Sequence, residues 1–320
     1  MRFSIVVVTY NPDKYKLRLT LKSILEQSYK DYEIVVSDDG SEENHFEYIE
    51  QIFDEYNFND YVLVPHKKNQ GTVKNLISAM EYAKGEYIRD FGPGDMFYSK
   101  DTLYQMYRFL ERQSCDFCFG LIQGYQIKNK ELLKSNFCHP FDIQAYRKKD
   151  TNDRKIRNLI LYGDNLSGAA ICVRRNVYKN YLIKICEYVK YEEDIFAGLA
   201  ALDGIDIKLF DRYMVWYEMN IGVSTGKDSG FSKLLSQDVN NFFEMLFKLY
   251  PDNKYVKKRK RVAPLFAINN LYIRTLLRVF VNPGEIPYIL IAFIERGLGM
   301  HKDKKSGAGF MDERTFWEES

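Results

Sequence analysis

The first hundred residues repeat one pattern: a short apolar run rich in β-branched residues, a polar turn, and an amphipathic segment. The runs are FSIVVVT at 3–9, YEIVVS at 32–37, YVLVP at 61–65 and EYIRDF at 86–91. Runs that are apolar almost throughout are typical of strands buried on both faces of a parallel sheet. Their alternation with helical segments predicts an α/β fold, with a mainly parallel, doubly wound sheet and helices on both faces.

Polar residues follow each run, at the edge where open α/β sheets bind their ligands. The first run ends at Thr9 and Tyr10, and the turn residues Asn11 and Pro12 come next. Turn chemistry stops the strand at this point, so we expect Thr9 and Tyr10 to be exposed at the carboxyl edge of the sheet.

Two adjacent carboxylates, Asp38 and Asp39, follow the second run in the turn DDGS. The structural alternative is that they make the turn and cap the next helix. Two neighbouring carboxylates repel each other, however, and a carboxylate at this edge can accept a hydrogen bond from a base N–H or a ribose hydroxyl. We therefore favour a ligand-binding role for this pair.

A lysine, Lys74, lies in the first turns of the helix expected over 72–82. A cation at a helix N-terminus is electrostatically unfavourable by itself. Its presence suggests an anion such as a pyrophosphate, and a solvated side chain is an equally good explanation.

The fourth run leads into the turn Gly92-Pro93-Gly94-Asp95. Because Gly92 and Gly94 lack a Cβ, the backbone can bend sharply and a bulky anion can approach it closely. Asp95 then offers a hard oxygen ligand, of the kind that Mg²⁺ and Mn²⁺ prefer. A surface turn with a solvated aspartate is the alternative when the turn is considered alone.

Composition and missing motifs exclude several classes. The 46 basic and 44 acidic residues nearly balance, which gives no reason to expect a nucleic-acid partner. There is no G-x-G-x-x-G and no P-loop motif. Five cysteines and the absence of a signal pattern favour reduced thiols and a cytoplasmic location. We interpret the lone C-x-x-C of Cys115 and Cys118 as part of a strand.

Beyond residue 122 the periodicity weakens. Residues 123–157 are expected to form a loop or insertion over the site, with His139 as a loop residue. The remaining expectations are a strand at 167–173, a helix at 188–202 opened by three acids, strands at 205–210 and 213–217, and a loop at 220–230. Asp206 in the first of those last two strands receives no site role.

The C-terminal region changes character and is predicted to be mostly helical over 226–320. It contains six basic residues within 254–261 and apolar residues at helical spacing within 266–281 and 286–294. A basic, amphipathic region of this kind either lies on an anionic membrane surface, through 254–294, or packs against the first domain. The final twenty residues are expected to form a loosely ordered tail.

The order of these features resembles the bacterial family-2 glycosyltransferases with the A-type fold, over about residues 3–225. The resemblance rests on SIVVVTYNP, VVSDDGS, NQGTVKN, GEYIRDFGPGD and YEED. It implies a catalytic, nucleotide-sugar-binding domain at 1–225. It also implies an inverting, metal-dependent enzyme that moves a hexose-type sugar from a UDP-sugar to a hydroxyl of a glycan or lipid-linked acceptor in cell-surface polysaccharide synthesis.

The resemblance also implies residue roles. Asp194 corresponds to the acid that such enzymes use as a base, with Glu193 beside it. Asp95 corresponds to the last acid of the family's metal motif, whereas Gly92 and Gly94 stand where its other two carboxylates usually are. The expected metal is Mn²⁺ or Mg²⁺. The donor-binding set is expected to be Thr9, Tyr10, Asn11, Asp38, Asp39, Lys74 and Gly94.

Two other functions compete with this one. Gly92 and Gly94 make a non-catalytic relative conceivable, one that binds a nucleotide or sugar within an assembly. A nucleotidyltransferase shares the sheet architecture, but it usually carries a Gly-rich basic loop after the first strand, and TYNPDKYK is not such a loop. The expected location is cytoplasmic, at the inner face of the cell membrane if residues 254–294 bind lipid.

Overall fold

The computed structural model describes residues 1–149, 151–219, 229–268 and 270–318. In these ranges nine strands form one sheet, in the order β3-β2-β1-β4-β8-β6-β9-β5, with β7 paired to β6. The strands are β1 (Phe3–Thr9), β2 (Tyr32–Asp38), β3 (Tyr61–Pro65), β4 (Tyr87–Phe91), β5 (Met96–Phe97), β6 (Phe117–Lys128), β7 (Glu131–Asn136), β8 (Ile171–Arg174) and β9 (Ile207–Glu218).

Helices connect and cover these strands. The first four are α1 (Lys14–Leu25), α2 (Phe46–Glu55), α3 (Thr72–Tyr82) and α4 (Thr102–Gln113). Those in the middle of the chain are α5 (Gln144–Arg147), α6 (Asn152–Arg157), α7 (Arg175–Ile185) and α8 (Phe196–Leu202). The C-terminal region contains α9 (Ser229–Leu249), α10 (Lys254–Val262), α11 (Leu271–Val281), α12 (Glu285–Gly297) and α13 (Arg314–Glu318).

The half of the sheet formed by β1 to β4 is parallel throughout. Strand β1 lies between β2 and β4, with Phe3 opposite both Tyr32 and Tyr87, and β2 pairs with β3. Helices α1, α2 and α3 provide the crossovers that parallel strands require. The predicted α/β fold and the helical C-terminal region are confirmed. The other half of the sheet is mixed, because β8 runs antiparallel to both β4 and β6.

Side chains from β1 alternate between two apolar cores, one on each face of the sheet. Phe3, Ile5 and Val7 belong to one core, and Val6 belongs to the other. All four are fully buried. The near-continuous apolar run in the sequence therefore reflects burial on both faces, since a strand with one wet face would alternate apolar and polar residues.

Several predicted elements differ in detail. The expected insertion at 123–157 begins as a hairpin, because β6 continues to Lys128 and pairs with β7. The helix expected from residue 188 begins at Phe196, after a short 3₁₀ turn at Glu193–Ile195. The two strands expected at 205–210 and 213–217 are one strand, β9. Most of the loop expected at 220–230, and the boundary placed at residue 225, lie outside the described residues.

The prediction of a loosely ordered tail was wrong. Phe310, Met311, Phe316 and Trp317 are buried in the core that also contains Phe3 and Ile5. The hydroxyl of Tyr15 in α1 donates a hydrogen bond of 2.5 Å to the carbonyl oxygen of Trp317. Most of the charged side chains in this segment are exposed, and the aromatic residues between them hold it against the sheet.

Helices α11 and α12 expose an apolar surface. Tyr272 and Phe280 in α11 are 86% and 82% exposed, and Phe293 in α12 is 71% exposed. The surface comprises Tyr272, Ile273, Leu276, Leu277, Phe280, Val281, Ile286, Leu290, Phe293, Ile294 and Leu298, and we call it the α11–α12 apolar surface. In the described ranges, none of the helices has the length and apolar content needed to cross a bilayer.

Candidate active site

A cavity of about 670 Å³ opens at the carboxyl edge of the parallel strands, and we call it the donor cavity. Thr9 at the end of β1, Asp39 just after β2 and Asp95 just after β4 line it. Segment 190–194 and the end of β9 close it from the other side. The strand ends of one sheet edge thus bring together residues that lie far apart in the sequence.

The donor cavity contains six of the predicted site residues: Thr9, Tyr10, Asp39, Asp95, Glu193 and Asp194. The other four do not line it: Asn11, Asp38, Gly94 and Lys74. Three of these support the loops that frame the cavity, and one turns toward a different cavity.

Asp38 and Asn11 fix the loops after β1 and β2. The Asp38 carboxylate accepts hydrogen bonds from the Thr9 hydroxyl at 2.9 Å and from the Ser41 backbone N–H at 2.8 Å, and it is buried. Asn11 accepts a hydrogen bond from the Glu42 backbone N–H at 3.1 Å. The bonds that Asp38 makes are internal to these loops, which places it behind the cavity wall.

Asp39 differs from its neighbour because it faces the cavity. Its two carboxylate oxygens accept hydrogen bonds from the backbone N–H groups of Gln70 and Gly71, at 2.7 and 2.8 Å. Burial raises the pKa of Asp39, and these two hydrogen bonds partly offset the effect. Each carboxylate oxygen has a second lone pair, so Asp39 can still accept a hydrogen bond from a ligand.

Lys74 lies outside the donor cavity. Its Nζ is 3.2 Å from Glu187 Oε1, and it lines a neighbouring cavity. Of the described residues that line the donor cavity, Lys190 is the only cation. The sequence placed Lys74 correctly near the start of α3, but the rotation of the helix directs the side chain toward Glu187.

The Gly92-Pro93-Gly94 turn holds Asp95 in place. Gly94 adopts φ 101°, and a Cβ at this position would lie 2.7 Å from Glu218 Oε2, so a glycine is required. Its carbonyl oxygen accepts a hydrogen bond from the Tyr125 hydroxyl at 2.6 Å. Gly92 is different, because an added Cβ would meet its nearest neighbouring atom, in Asp95, only at 4.0 Å.

Seven acidic side chains and one lysine line the described part of the donor cavity. Asp90, Glu192 and Glu218 were not predicted from the sequence, and they line the cavity with Asp39, Asp95, Glu193 and Asp194. Asp90 lies inside the buried strand β4, and its Oδ1 has no hydrogen-bond partner among the described residues. Two adjacent charges, Arg89 and Asp90, within a buried strand were the signal that could have identified it.

Burial raises the pKa values of Asp90, Asp95 and Asp194. The pKa of Asp95 rises to about 7, mainly through desolvation, and the neighbouring carboxylates of Glu218 and Asp90 add to the effect. Desolvation likewise raises the pKa of Asp194 to about 6, with a further contribution from Asp90. The pKa of Asp90 itself rises to about 6. A cluster of this kind favours any ligand that brings positive charge.

Asp194 and Glu193 are held against a small-residue turn. The Gly168 backbone N–H donates a hydrogen bond of 3.0 Å to Asp194 Oδ2. A Cβ on Gly168 would lie 2.4 Å from Glu193 Oε1, so the glycine permits this close approach. The predicted strand at 167–173 therefore begins as a 3₁₀ turn at residues 168–170, and β8 starts at Ile171.

Asp238, from helix α9, organises the segment before these acids. Its Oδ2 accepts hydrogen bonds from three consecutive backbone N–H groups, those of Lys190, Tyr191 and Glu192, at 3.0, 2.6 and 3.2 Å. Asp238 is only 6% exposed. The C-terminal region therefore contributes directly to the geometry of the acidic turn, a contact that was not predicted from the sequence.

The fold and the carboxylate-lined cavity at the strand ends are those of an A-type glycosyltransferase. The profile of glycosyl transferase family 2 matches residues 4–182, and the chain belongs to this family.

Similar proteins agree with this assignment. The poly(ribitol-phosphate) β-N-acetylglucosaminyltransferase TarS of Staphylococcus aureus is 30% identical over 126 residues, which are 39% of this chain and 21% of TarS. Glycosyltransferase GlyG of Streptococcus pneumoniae is 34% identical over 128 residues, which are 38% of this chain and 39% of GlyG. The matched region thus spans well under half of each of these relatives.

Solved structures share the fold. Residues 1–349 of S. aureus TarS in complex with UDP-GlcNAc align with a TM-score of 0.52 and 18% identity, covering 83% of this chain and 80% of that one. A mannosyltransferase from Pyrobaculum calidifontis, in complex with GDP-Man and Mn²⁺, aligns with a TM-score of 0.53 and 14% identity, covering 92% and 86%.

Proposed function

We propose that this chain is an inverting glycosyltransferase that moves a sugar from a UDP-sugar to a hydroxyl group of a glycan or lipid-linked saccharide in cell-surface polysaccharide synthesis. The convergence of Asp39, Asp95 and Asp194 on one cavity carries the proposal. The cavity volume of about 670 Å³ lies within the range of small-molecule and cofactor sites.

Thr9, Tyr10 and Asp39 form the nucleotide end of the proposed site. The side chain of Tyr10 is 54% exposed at the cavity rim, where its ring can stack on a base. Asp39 accepts a hydrogen bond from the uracil imide or from a ribose hydroxyl. The structures of TarS with UDP and UDP-GlcNAc support the choice of a uridine nucleotide, as a property of a protein with the same fold.

A divalent cation, Mn²⁺ or Mg²⁺, completes the proposed site. Within the part of the chain that the structure describes, no three His, Cys, Asp or Glu side chains converge to hold a metal by themselves. Asp95 and the unpartnered Oδ1 of Asp90 nevertheless supply hard oxygen atoms. The single lysine of the cavity, Lys190, cannot neutralise the negative charge of a diphosphate beside these acids. The residues therefore fit a divalent cation whose remaining ligands are phosphate oxygens of the donor. When bound, the cation stabilises the departing diphosphate.

Asp194 acts as the base in this proposal. The acceptor hydroxyl oxygen forms a bond to the anomeric carbon as the bond from that carbon to the diphosphate breaks, and the hydroxyl proton passes to Asp194. The Gly168 N–H holds one carboxylate oxygen, Oδ2, and leaves Oδ1 for the proton. Direct displacement at one face of the sugar inverts the anomeric configuration.

Peripheral membrane association through 254–294 is part of the proposal, at the cytoplasmic face of the cell membrane. The α11–α12 apolar surface supports it, together with basic residues of α10 such as Lys258 and Arg261, for which no ion pair is recorded among the described residues. Apolar side chains beside cations are the features that bind an anionic bilayer. Phe280→Glu and Phe293→Glu should each reduce co-sedimentation with phosphatidylglycerol vesicles, and unchanged binding would exclude this surface.

A thermal-shift titration with UDP, GDP and UDP-sugars, with and without MnCl₂, tests the donor site, since a ligand that binds the native state raises the melting temperature. We expect UDP to stabilise the protein, and more strongly with Mn²⁺. Asp39→Asn keeps one acceptor oxygen for the Gln70 or Gly71 N–H, so it should weaken UDP binding while the protein remains folded. UDP binding without UDP-sugar hydrolysis or transfer would instead indicate a non-catalytic relative.

A further inference from the structure

A second cavity, of about 470 Å³, adjoins the donor cavity, and we call it the side cavity. Ser167, Glu192, Asp194 and Tyr217 line both cavities. Asp194 therefore lies where the two cavities meet. A group that enters from the side cavity reaches the proposed base without passing through the space that the donor would fill.

Aromatic rings form one wall of the side cavity. The ring of Tyr217 lies 5.6 Å from that of Phe137 in an edge-to-face arrangement, and Phe137 lies 5.5 Å from the His139 ring. The His139 and Phe141 rings are 4.2 Å apart. A continuous row of ring faces and edges suits the apolar faces of sugar rings, which stack on aromatic side chains.

The far end of the side cavity is cationic. Arg296, near the end of α12, lines the side cavity and also a small pocket of about 10 Å³ beyond it. Lys302 lines the same small pocket, and none of the ten residues around that pocket is acidic. Neither cation has an ion-pair partner recorded among the described residues. The path from the donor cavity therefore leads past Asp194, along the aromatic row of the side cavity, and ends at Arg296.

We propose that the side cavity binds the acceptor, and that this acceptor is a saccharide carrying a phosphate group, which Arg296 and Lys302 bind. The inference rests on the proposed transferase function and specifies its acceptor class. The charge distribution fixes the orientation: the Asp194 carboxylate repels a phosphate at its end, whereas a guanidinium forms paired hydrogen bonds with phosphate oxygens. The acceptor hydroxyl is then directed toward Asp194.

Such a phosphate has two possible sources, a lipid-linked sugar phosphate or a phosphate-containing glycan. Both present the same group to Arg296, and they differ in whether an alkyl chain follows it. Phe293 precedes Arg296 by one helical turn and belongs to the α11–α12 apolar surface. An alkyl chain attached to the phosphate would find that surface beside it, so the two sources are distinguishable by experiment.

Isothermal titration of the full chain, saturated with UDP so that the donor cavity is filled, tests the proposal with glucose 1-phosphate and methyl glucoside as probes. We expect glucose 1-phosphate to bind at least tenfold more tightly. Arg296→Gln should remove roughly 10- to 100-fold of the affinity for glucose 1-phosphate, the usual worth of a hydrogen bond to a charged group. Its affinity for methyl glucoside should not change.

Lys304→Gln is the matched control, because Lys304 is exposed and lines neither the side cavity nor the small pocket. Equal binding of both probes to the wild type, or a preference that survives Arg296→Gln, would overturn the proposal. UDP affinity, measured on the same variants before UDP is added to saturation, reports on the donor site separately. A decyl phosphodiester of glucose that binds more tightly than glucose 1-phosphate would assign the phosphate to a lipid, and equal binding would assign it to a glycan.

Discussion

Replacing Asp194 by asparagine should abolish transfer while making the protein more stable at high pH. Asparagine has nearly the same shape, and its side-chain oxygen can still accept the 3.0 Å hydrogen bond from the Gly168 N–H. It cannot take a proton from the acceptor. Loss of a positioned base typically lowers the rate by ~10² to 10⁴. UDP binding should persist, because the proposed nucleotide contacts come from Thr9, Tyr10 and Asp39.

The stability gain follows from the raised pKa of Asp194. Its value rises from 3.8 to about 6, because burial and the nearby Asp90 carboxylate disfavour the charged form. A carboxyl group whose pKa is higher in the folded state contributes stability below about pH 4 and loses it as the pH rises through 6. Asparagine is neutral throughout, so the variant should be more stable than the wild type by up to ~3 kcal/mol at pH 8. Below pH 4 the difference should be small.

The same pKa sets the pH dependence of the wild-type enzyme. The base works only when ionised, so kcat/KM should fall about tenfold per pH unit below 6 and level off above 7. Thermal melts at pH 4 and pH 8, UDP titration, and transfer or donor-hydrolysis rates together test these roles of Asp194. Asp252→Asn is the control, since Asp252 is 96% exposed and lies away from both cavities.

Three outcomes would refute this division of roles. Retained activity in Asp194→Asn would exclude Asp194 as the base and direct attention to Glu193. An equal loss of UDP affinity would mean that the carboxylate holds the donor. A variant that is less stable than the wild type at pH 8 would mean that a positively charged group stabilises the Asp194 carboxylate in the folded protein.

Further predictions concern the surroundings of the site. Asp238→Asn weakens three hydrogen bonds to the segment before Asp194, so kcat should fall by up to about 10²-fold, with a smaller change in UDP affinity. Gly94→Ala should destabilise the protein by ~1–3 kcal/mol, as measured by urea unfolding, whereas Gly92→Ala should be neutral or stabilise it by up to ~1 kcal/mol. Trp317→Ala should lower the free energy of unfolding by ~3–5 kcal/mol, and a change below 1 kcal/mol would show that the end of the chain does not support the core.

The sequence was sufficient to predict the parallel half of the sheet and the edge on which the acids meet. Runs such as FSIVVVT have one plausible structure, since few environments bury every residue of a strand. Strand ends of a parallel sheet meet at one edge, so Asp39 and Asp95 could be placed together from sequence alone. The family-2 assignment followed from the order of the motifs and is confirmed by the family match over residues 4–182.

Side-chain direction was less predictable. Asp38 and Asp39 are adjacent and chemically identical, yet one holds a loop and the other faces the cavity, because successive residues at a strand end point in opposite directions. Lys74 lies at the expected place on α3, but its partner Glu187 is more than a hundred residues away in the sequence. No local pattern reveals such a partner.

Long-range support of the acidic turn also lay beyond the sequence. Asp238 lies 46 to 48 residues after the N–H groups that it binds, in a helix that looks like an ordinary amphipathic segment. The aromatic row of the side cavity comes from a stretch whose periodicity is weak, and Arg296 comes from another helix entirely. These features arise from packing between distant elements, which single-sequence periodicity does not encode.

The return of the C-terminal segment to α1 has a consequence for biosynthesis. Lys22 Nζ donates a hydrogen bond of 2.9 Å to the carbonyl oxygen of Phe316, which lies 294 residues later in the chain. While the ribosome is still adding residues, α1 and the core beneath it lack this cover. Final closure must therefore wait until residue 317 has emerged from the exit tunnel, and until then the nascent chain exposes an apolar surface that a chaperone would recognise.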